Sequence, residues 1–93
     1  MNLQQILDTA NAFGNIHRLR IITELCSGRK YVSELSRNLK MSRPLIYLHL
    51  NKLEKAGIVK SNLEVSDDGK ARKYYELNEF EILLTPGVVR DAV

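Results

Sequence analysis

The sequence predicts a mainly α domain closed by one small β-hairpin, and three observations carry that expectation. Apolar residues recur at helical spacing in four separate stretches before residue 57. The period then changes to two over residues 58–65 and again over 72–77, with Asp67-Asp68-Gly69-Lys70 between them as a turn. Basic residues gather on one helix and its surroundings rather than spreading along the chain.

Residues 3–13 place Leu3, Ile6, Leu7 and Ala10 at helical spacing among Gln4, Gln5, Asp8, Thr9 and Asn11, an amphipathic helix that Gly14 ends. Asn15 is suited to cap a second helix whose apolar stripe reads Ile16, Leu19, Ile22 and Leu25 down to Gly28. Arg18 and Arg20 fall off that stripe and read as surface cations, either within reach of a phosphate. Tyr31-Val32 suits a very short strand. Ser33 is then placed to cap a third helix from Glu34 to Leu39, with Leu35 and Leu39 inward.

Only Lys40-Met41 separates that short helix from the next, so the two cannot lie antiparallel. A sharp crossing into a capped second helix is the requirement of a helix-turn-helix. The second helix runs between Ser42, a hydroxyl able to cap its first turn, and Gly57, a residue free to turn left-handed. Pro44 sits where a missing N–H costs nothing. Ile46, Leu50 and Leu53 make one buried stripe, and Tyr47, Leu48, Asn51 and Lys55 lie opposite it. That free face, with Arg43, Lys52 and Lys55 and no acid before Glu54, is the expected DNA recognition surface. Ser42, Arg43, Pro44, Leu45, Tyr47, Leu48, Asn51, Lys52 and Lys55 are its candidate contacts.

In the strand over 58–65, Val59, Ser61, Leu63 and Val65 share one side; in the return strand Tyr75 and Leu77 share a side and Arg72 and Tyr74 the other. A hairpin beside a recognition helix is a wing, and Lys70, Arg72 and Lys73 make its return side basic. Arg37 and Lys40 are further candidates for the DNA backbone. The fold expected is therefore a winged helix-turn-helix, a three-helix core plus wing with an amphipathic N-terminal helix. Asn78 with Glu81 suits a capping box for a last short helix over 79–84, ended by Pro86-Gly87; the alternation Phe80, Ile82, Leu84 suits a strand equally.

Charge narrows the partner. Residues 29–60 hold eight bases against two acids, a net of +6, whereas 1–28 balance and 61–93 net −3. The overall +3 therefore conceals a basic centre suited to phosphate, and double-stranded DNA is the expected partner. One cysteine, Cys26, excludes an internal disulfide and suits a reducing cytoplasm, where it reads as a small packing residue. No apolar run is long enough to span a bilayer. No Gly-rich phosphate loop and no nucleophile–base pairing is visible, so an enzyme is not expected. The 93 residues read as a single domain in which 1–14 and 79–93 serve as dimerisation ends, through Leu3, Ile6, Leu7, Ala10, Phe80, Leu83 and Leu84. The rival reading is a winged helix that docks protein instead of DNA, favoured by apolar Leu45 and Leu48 on the recognition face.

The order of elements and five fragments together resemble the ArsR-like winged helix-turn-helix transcription regulators. Asn-Ile-His-Arg-Leu-Arg-Ile-Ile (15–22) is similar to that family's Asp-Pro-Thr-Arg-Leu-Arg-Ile-Leu, and Tyr-Val-Ser-Glu-Leu (31–35) to its Cys-Val-Cys-Glu-Leu. Ser-Arg-Pro-Leu-Ile-Tyr-Leu-His-Leu (42–50) is similar to Ser-Gln-Pro-Thr-Val-Ser-Arg-His-Leu; residues 53–59 and 68–77 match the helix end and the wing. The resemblance spans about residues 3–78 and implies a regulator of transcription, a repressor by promoter occupancy, working as a homodimer. Metal-sensing members bind a soft ion through the two cysteines of Cys-Val-Cys; here Tyr31 and Ser33 stand there, so neither metal nor other cofactor is expected. His49 is expected to border the core or a phosphate and His17 the surface. Pro86 shortens the family's long last helix. Leu45, Tyr47 and Leu48 replace small or polar residues that the family uses to read DNA, which suits either thymine methyls or a face that meets protein.

Overall fold

Four of the five helices start on a side chain that accepts from an otherwise orphaned amide of the first turn. In the computed structural model, which describes residues 1–93, Asn2 Oδ1 accepts from the Gln5 amide and Gln5 Oε1 from the Asn2 amide, both at 2.8 Å, opening α1 (Leu3–Phe13). Asn15 Oδ1 accepts from the His17 amide at 2.8 Å and opens α2 (Ile16–Leu25). After β1 (Lys30–Tyr31), α3 (Val32–Leu39) begins two residues earlier than its sequence suggests. The cap is not Ser33, which lies inside the first turn; Glu34 Oε1 reaches back to the Tyr31 amide at 3.2 Å and leaves that serine free. Lys40 turns the chain with φ 54°, and Ser42 caps α4 (Arg43–Lys55), its Oγ accepting from the Leu45 amide at 3.4 Å. Gly57, with φ 74°, ends α4 as expected.

The core forms where these helices cross. Ile46, Leu50 and Leu53 of α4 are fully buried against Leu35 and Leu39 of α3, Ile21 and Leu25 of α2, and Ala12 of α1. The inward stripe of α2 differs from the expected one. Ile21, Leu25 and Arg18 face in, Arg18 only 4% exposed, while Ile16 and Leu19 are exposed. Residues 18, 21 and 25 share a helix face as well as 16, 19 and 22 do, and hydropathy alone discounts an arginine. The guanidinium is tolerated because the C-terminal end of α1 offers it carbonyls: Nε donates to Ala12 O at 3.1 Å and Nη2 to Asn11 O at 2.6 Å. Arg18 is thus no surface cation. Arg20 is exposed, and it donates to Leu39 O at 3.1 Å. Cys26, expected to pack, is exposed.

β2 (Val59–Val65) and β3 (Ala71–Leu77) form the hairpin, with Val59 opposite Leu77 and Val65 opposite Ala71. The short strand joins them, giving an antiparallel sheet of order β1-β3-β2 with Lys30 opposite Tyr75 and Tyr31 opposite Tyr74. It uses Lys30-Tyr31 rather than Tyr31-Val32, because Val32 already belongs to α3. Val59 and Tyr75 are buried at the base of the hairpin, but Leu63 and Val65 on the same side are both 72% exposed. The hairpin therefore runs past the helices that cover its base, as a wing.

After β3 the structure corrects two expectations. Residues 78–85 form neither helix nor strand, and Pro86 begins α5 (Pro86–Ala92) instead of ending one. Asn78 is spent elsewhere: its amide donates to Ile58 O and its side chain to Gly57 O, both at 2.9 Å. Thr85 takes the capping role, Oγ1 accepting from the Val88 amide at 3.2 Å, and the fixed φ of Pro86 suits the first helical position. Ile82 packs on the core and the Phe80 ring lies 5.6 Å from that of Phe13, so this segment lies along α1. No helix is long and apolar enough to cross a membrane.

Candidate nucleic-acid interface

The face of α4 opposite Ile46, Leu50 and Leu53 stands free. Leu45, Tyr47, Leu48, Asn51 and Lys55 are exposed along it, Ser42, Arg43 and Pro44 at its start, and Lys52 is half-buried at its edge. The turn before it adds exposed Lys40, and α3 adds exposed Arg37. On the side facing the wing, Arg43 and Tyr47 line a cleft of about 240 Å³ with Arg72 and Lys73 of β3 and with Tyr31 and Ser33. The helix and hairpin expected to act together are brought together here, with Lys70 exposed at the hairpin turn.

The charge of this surface is uncompensated. The ion pairs of the molecule use Arg29 with Glu64, Lys55 with Asp8, Lys60 with Glu76 and Arg90 with Asp91. Arg37, Lys40, Arg43, Lys52, Lys70, Arg72 and Lys73 have no carboxylate within 4 Å of their nitrogens, so none is held in an ion pair, and only Asp68 at the wing turn acts on Arg72 from farther off. Lys55 differs: its Nζ lies 3.8 Å from an Asp8 oxygen, which ties the end of α4 to α1 and partly neutralises that cation.

A short helix, a three-residue turn, a capped helix with a free basic face, and an adjoining wing are the parts of a DNA-binding winged helix. Comparison with known proteins bears this out. Residues 17–61 match the model of the bacterial regulatory protein arsR family. The chain is 32% identical over 90 residues to an uncharacterized HTH-type transcriptional regulator of Methanocaldococcus jannaschii, covering 97% of this chain and 94% of the relative. The chain belongs to the ArsR family of winged helix-turn-helix regulators. Among solved structures it is similar to HlyU of Vibrio cholerae, at 26% identity and TM-score 0.68 over 82% of this chain and 77% of HlyU. A fragment of a possible transcriptional regulatory protein of Mycobacterium bovis gives TM-score 0.71 at 25% identity, over 81% of this chain and 75% of that one. This ArsR-family chain is a DNA-binding regulator of transcription.

Two arrangements behind the ArsR-family surface escape a reading of the sequence. The first is a ladder on the outer face of the sheet. The Arg29 guanidinium lies 4.5 Å above the Tyr74 ring while pairing with Glu64; the Tyr31 ring meets Tyr74 edge-on at 5.6 Å; and the Arg72 guanidinium lies 5.3 Å over Tyr31. Tyr31, where metal-sensing relatives carry a thiolate, here braces the wing against the start of α3. The alternation of Arg72 and Tyr74 on one strand face was the available signal, but their partners come from a strand too short to read.

The second is a buried polar contact under α4. Arg18 Nη1 lies 3.1 Å from His49 Nδ1, and His49 is 4% exposed, with the His17 ring 5.8 Å away. Burial first, then the charges of Arg18, His17 and Lys52, holds the His49 imidazole below its ordinary pKa. His49 therefore belongs to the core side of α4, and His17 is half-buried. No group of three or more His, Cys, Asp or Glu side chains is placed to hold a metal ion.

Away from this surface, Ile6, Ala10, Phe13, Phe80, Ile82 and Leu84 line an open apolar groove of about 370 Å³ between α1 and the segment before α5. Leu3, Leu7 and Leu83 are exposed as well, Leu83 at 73%.

Proposed function

We propose that this regulator reads its operator with α4 in the major groove and the wing on the flanking backbone, and that it represses by occupying a promoter. The observation that carries the reading is the free face of α4: a capped helix whose buried stripe fixes its orientation presents Tyr47, Leu48 and Asn51 beside cations that no carboxylate neutralises. Asn51 supplies paired donor and acceptor for an adenine edge, and Leu48 and Tyr47 supply apolar contact for a thymine methyl. Ser42, Pro44 and Leu45 set the approach of the first turn. Lys52, Lys55, Arg37, Lys40, Lys70, Arg72 and Lys73 engage phosphates, which position the protein without reading sequence. The chain acts as one winged helix-turn-helix domain in the cytoplasm, paired into a homodimer through its two ends.

Fluorescence anisotropy on labelled duplexes tests the reading. Raising salt from 50 to 200 mM should weaken binding by about three orders of magnitude or more if the seven cations named above meet phosphates. Asn51→Ala should cost about 1–3 kcal/mol on the cognate site and little on unrelated DNA, whereas Lys70→Ala should weaken both alike. Binding indifferent to salt, or absent at 50 mM, defeats the assignment of this surface.

A further inference from the structure

We propose that Tyr31 is the residue that positions the wing: its ring, set against Tyr74 and Arg72 of β3, fixes the angle between the hairpin and α4. The inference rests on the DNA-binding reading above and deepens it, because the wing's share of binding then depends on a side chain that need not touch DNA.

The hairpin is anchored at its base and uncovered beyond it. Val59 and Tyr75 are buried, whereas Leu63 and Val65, farther out on the same face, are each 72% exposed. The space towards α4 is an open cleft of about 240 Å³, lined by Arg43 and Tyr47 of α4 and by Ala71, Arg72 and Lys73 of β3. No apolar packing therefore fastens the outer half of the wing on its inner face. A pair of strands held only at one end pivots there, since an isolated two-stranded hairpin is at best marginally stable.

The fastening is on the opposite face. There Tyr31, Glu64, Arg72 and Tyr74 are all half-buried, although each is polar or charged at its tip. They cover one another: the Tyr31 ring meets Tyr74 edge-on at 5.6 Å, Arg72 lies 5.3 Å over Tyr31, and Arg29 lies over Tyr74 while pairing with Glu64. Glu64 and Arg72 stand opposite each other one pair from the end of the hairpin ladder, so these contacts grip the outer half of both strands. Tyr31 is where they reach the helices. It is the last residue of β1 and the residue on which α3 starts, its amide donating to Glu34 Oε1 at 3.2 Å, and α3 packs on α4 through Leu35 and Leu39. No loop intervenes, so a change in the seat of this ring is a change in the angle of the wing. The exposed Arg29–Glu64 pair contributes little by itself, because solvent screens it; the Tyr31 ring, with two partners on β3, carries the brace. Wing cations oriented in advance lose less freedom when DNA arrives than cations on a pivoting hairpin.

The test has two arms. The first is NMR on the full chain without DNA, comparing the residual dipolar couplings of amides 62–73 with those of α4. In the wild type and in Tyr31→Phe, which keeps the ring, one alignment should fit both. In Tyr31→Ala the couplings of 62–73 should shrink while those of α2, α3 and α4 hold. Should Tyr31→Ala lose its dispersed spectrum, Tyr74→Leu removes the same ring contact from the wing side and is read in its place. The second arm is fluorescence anisotropy with cognate and unrelated duplexes. Tyr31→Ala should weaken both by one common factor, about tenfold, and lower the salt slope by about one for each wing cation disengaged. Lys70→Ala, at the turn and outside the ring contacts, should cost less in the Tyr31→Ala background than in the wild type. Wild-type couplings in Tyr31→Ala, a Lys70→Ala cost equal in both backgrounds, or a Tyr31→Phe variant as impaired as Tyr31→Ala overturns the proposal. If no duplex binds at all, the DNA reading falls, and the couplings alone decide whether Tyr31 sets the angle.

Discussion

Arg18 Nη1 lies 3.1 Å from His49 Nδ1 in the interior, so a side chain of α2 ties the recognition helix to the C-terminal end of α1. A guanidinium has only donors, which fixes the histidine as its acceptor: His49 is neutral, with its proton on Nε2. That Nε2 is buried and without a partner. No carboxylate balances the arginine; two backbone carbonyls and the imidazole do, and the carbonyls gain from the negative end of the α1 dipole.

Truncating Arg18 should therefore be costly. Arg18→Met keeps much of the packing stem but leaves the Ala12 carbonyl and the buried His49 Nδ1 without their donor, Asn11 O keeping the Gly14 amide, and it should destabilise the fold by about 2–4 kcal/mol. Arg18→Lys should recover little, since one ammonium cannot reproduce the fork. Urea unfolding at pH 7 measures both, and a loss below about 1 kcal/mol for the methionine variant would show the clamp to be incidental.

Acid should weaken the same contact. The folded-state pKa of His49 lies below its unfolded value of about 6.5, because burial and then Arg18 oppose its protonation. Above that value both states are neutral and the stability is fully present. As pH falls below about 6.5 the unfolded chain takes up a proton that the folded chain refuses, so stability declines down to the folded pKa. The urea midpoint should drop between pH 7 and pH 5, and less so in His49→Gln. A decline of equal size in that variant would assign the effect to other groups.

The parts of the fold legible in sequence are those fixed by local chemistry. Ser42 and Gly57 mark α4 because capping and left-handed geometry act within one turn, and Ile46, Leu50 and Leu53 mark its buried face because no competing stripe exists. α2 misleads for the opposite reason: it carries two apolar stripes, and tertiary partners on α1 select the one containing an arginine. The stretch 78–85 misleads because Asn78 and Thr85 are both competent caps, and the pairing of Asn78 with Gly57 and Ile58, some twenty residues away, decides between them. Charge concentration and helix face point to the candidate interface; the cleft and its aromatic bracing depend on β1, two residues long, which no periodicity announces.

Lys40 offers a separation of stability from binding. It holds φ 54° in the turn of the helix-turn-helix, a conformation that costs an L-residue with a Cβ about 1 kcal/mol and glycine almost nothing. Lys40→Gly should leave stability unchanged or raise it by up to about 1 kcal/mol, the gain being trimmed by the extra freedom of glycine in the unfolded chain. It should at the same time weaken binding to all DNA severalfold by removing a phosphate contact. Thermal melts and anisotropy on the same sample measure the two effects, and a destabilised variant would mean that the lysine side chain stabilises the turn.

The proposed homodimer rests on where apolar surface is left uncovered. One recognition helix reads only a few base pairs, and two on a two-fold axis double both the base and the phosphate contacts. Leu3 and Leu7 of α1, with Leu83 and Leu84 of the segment lying along it, are exposed beside the groove of about 370 Å³ lined by Ile6, Ala10 and Phe80. α5 buries no residue of its own within the chain. An open apolar surface of this kind is a liability on a monomer and an asset at a self-complementary interface. α1, whose C-terminal end Arg18 ties to His49 of α4, carries this surface along its length, so pairing there would bear on the spacing of two α4 helices. Light scattering at micromolar concentration should give about twice 10.6 kDa. The double change Leu7→Glu, Leu83→Glu replaces exposed side chains only, so the variant should stay folded by circular dichroism while its mass halves and its operator affinity falls. A wild-type mass near 10.6 kDa, or a double variant that remains paired, removes the two ends of the chain as the interface.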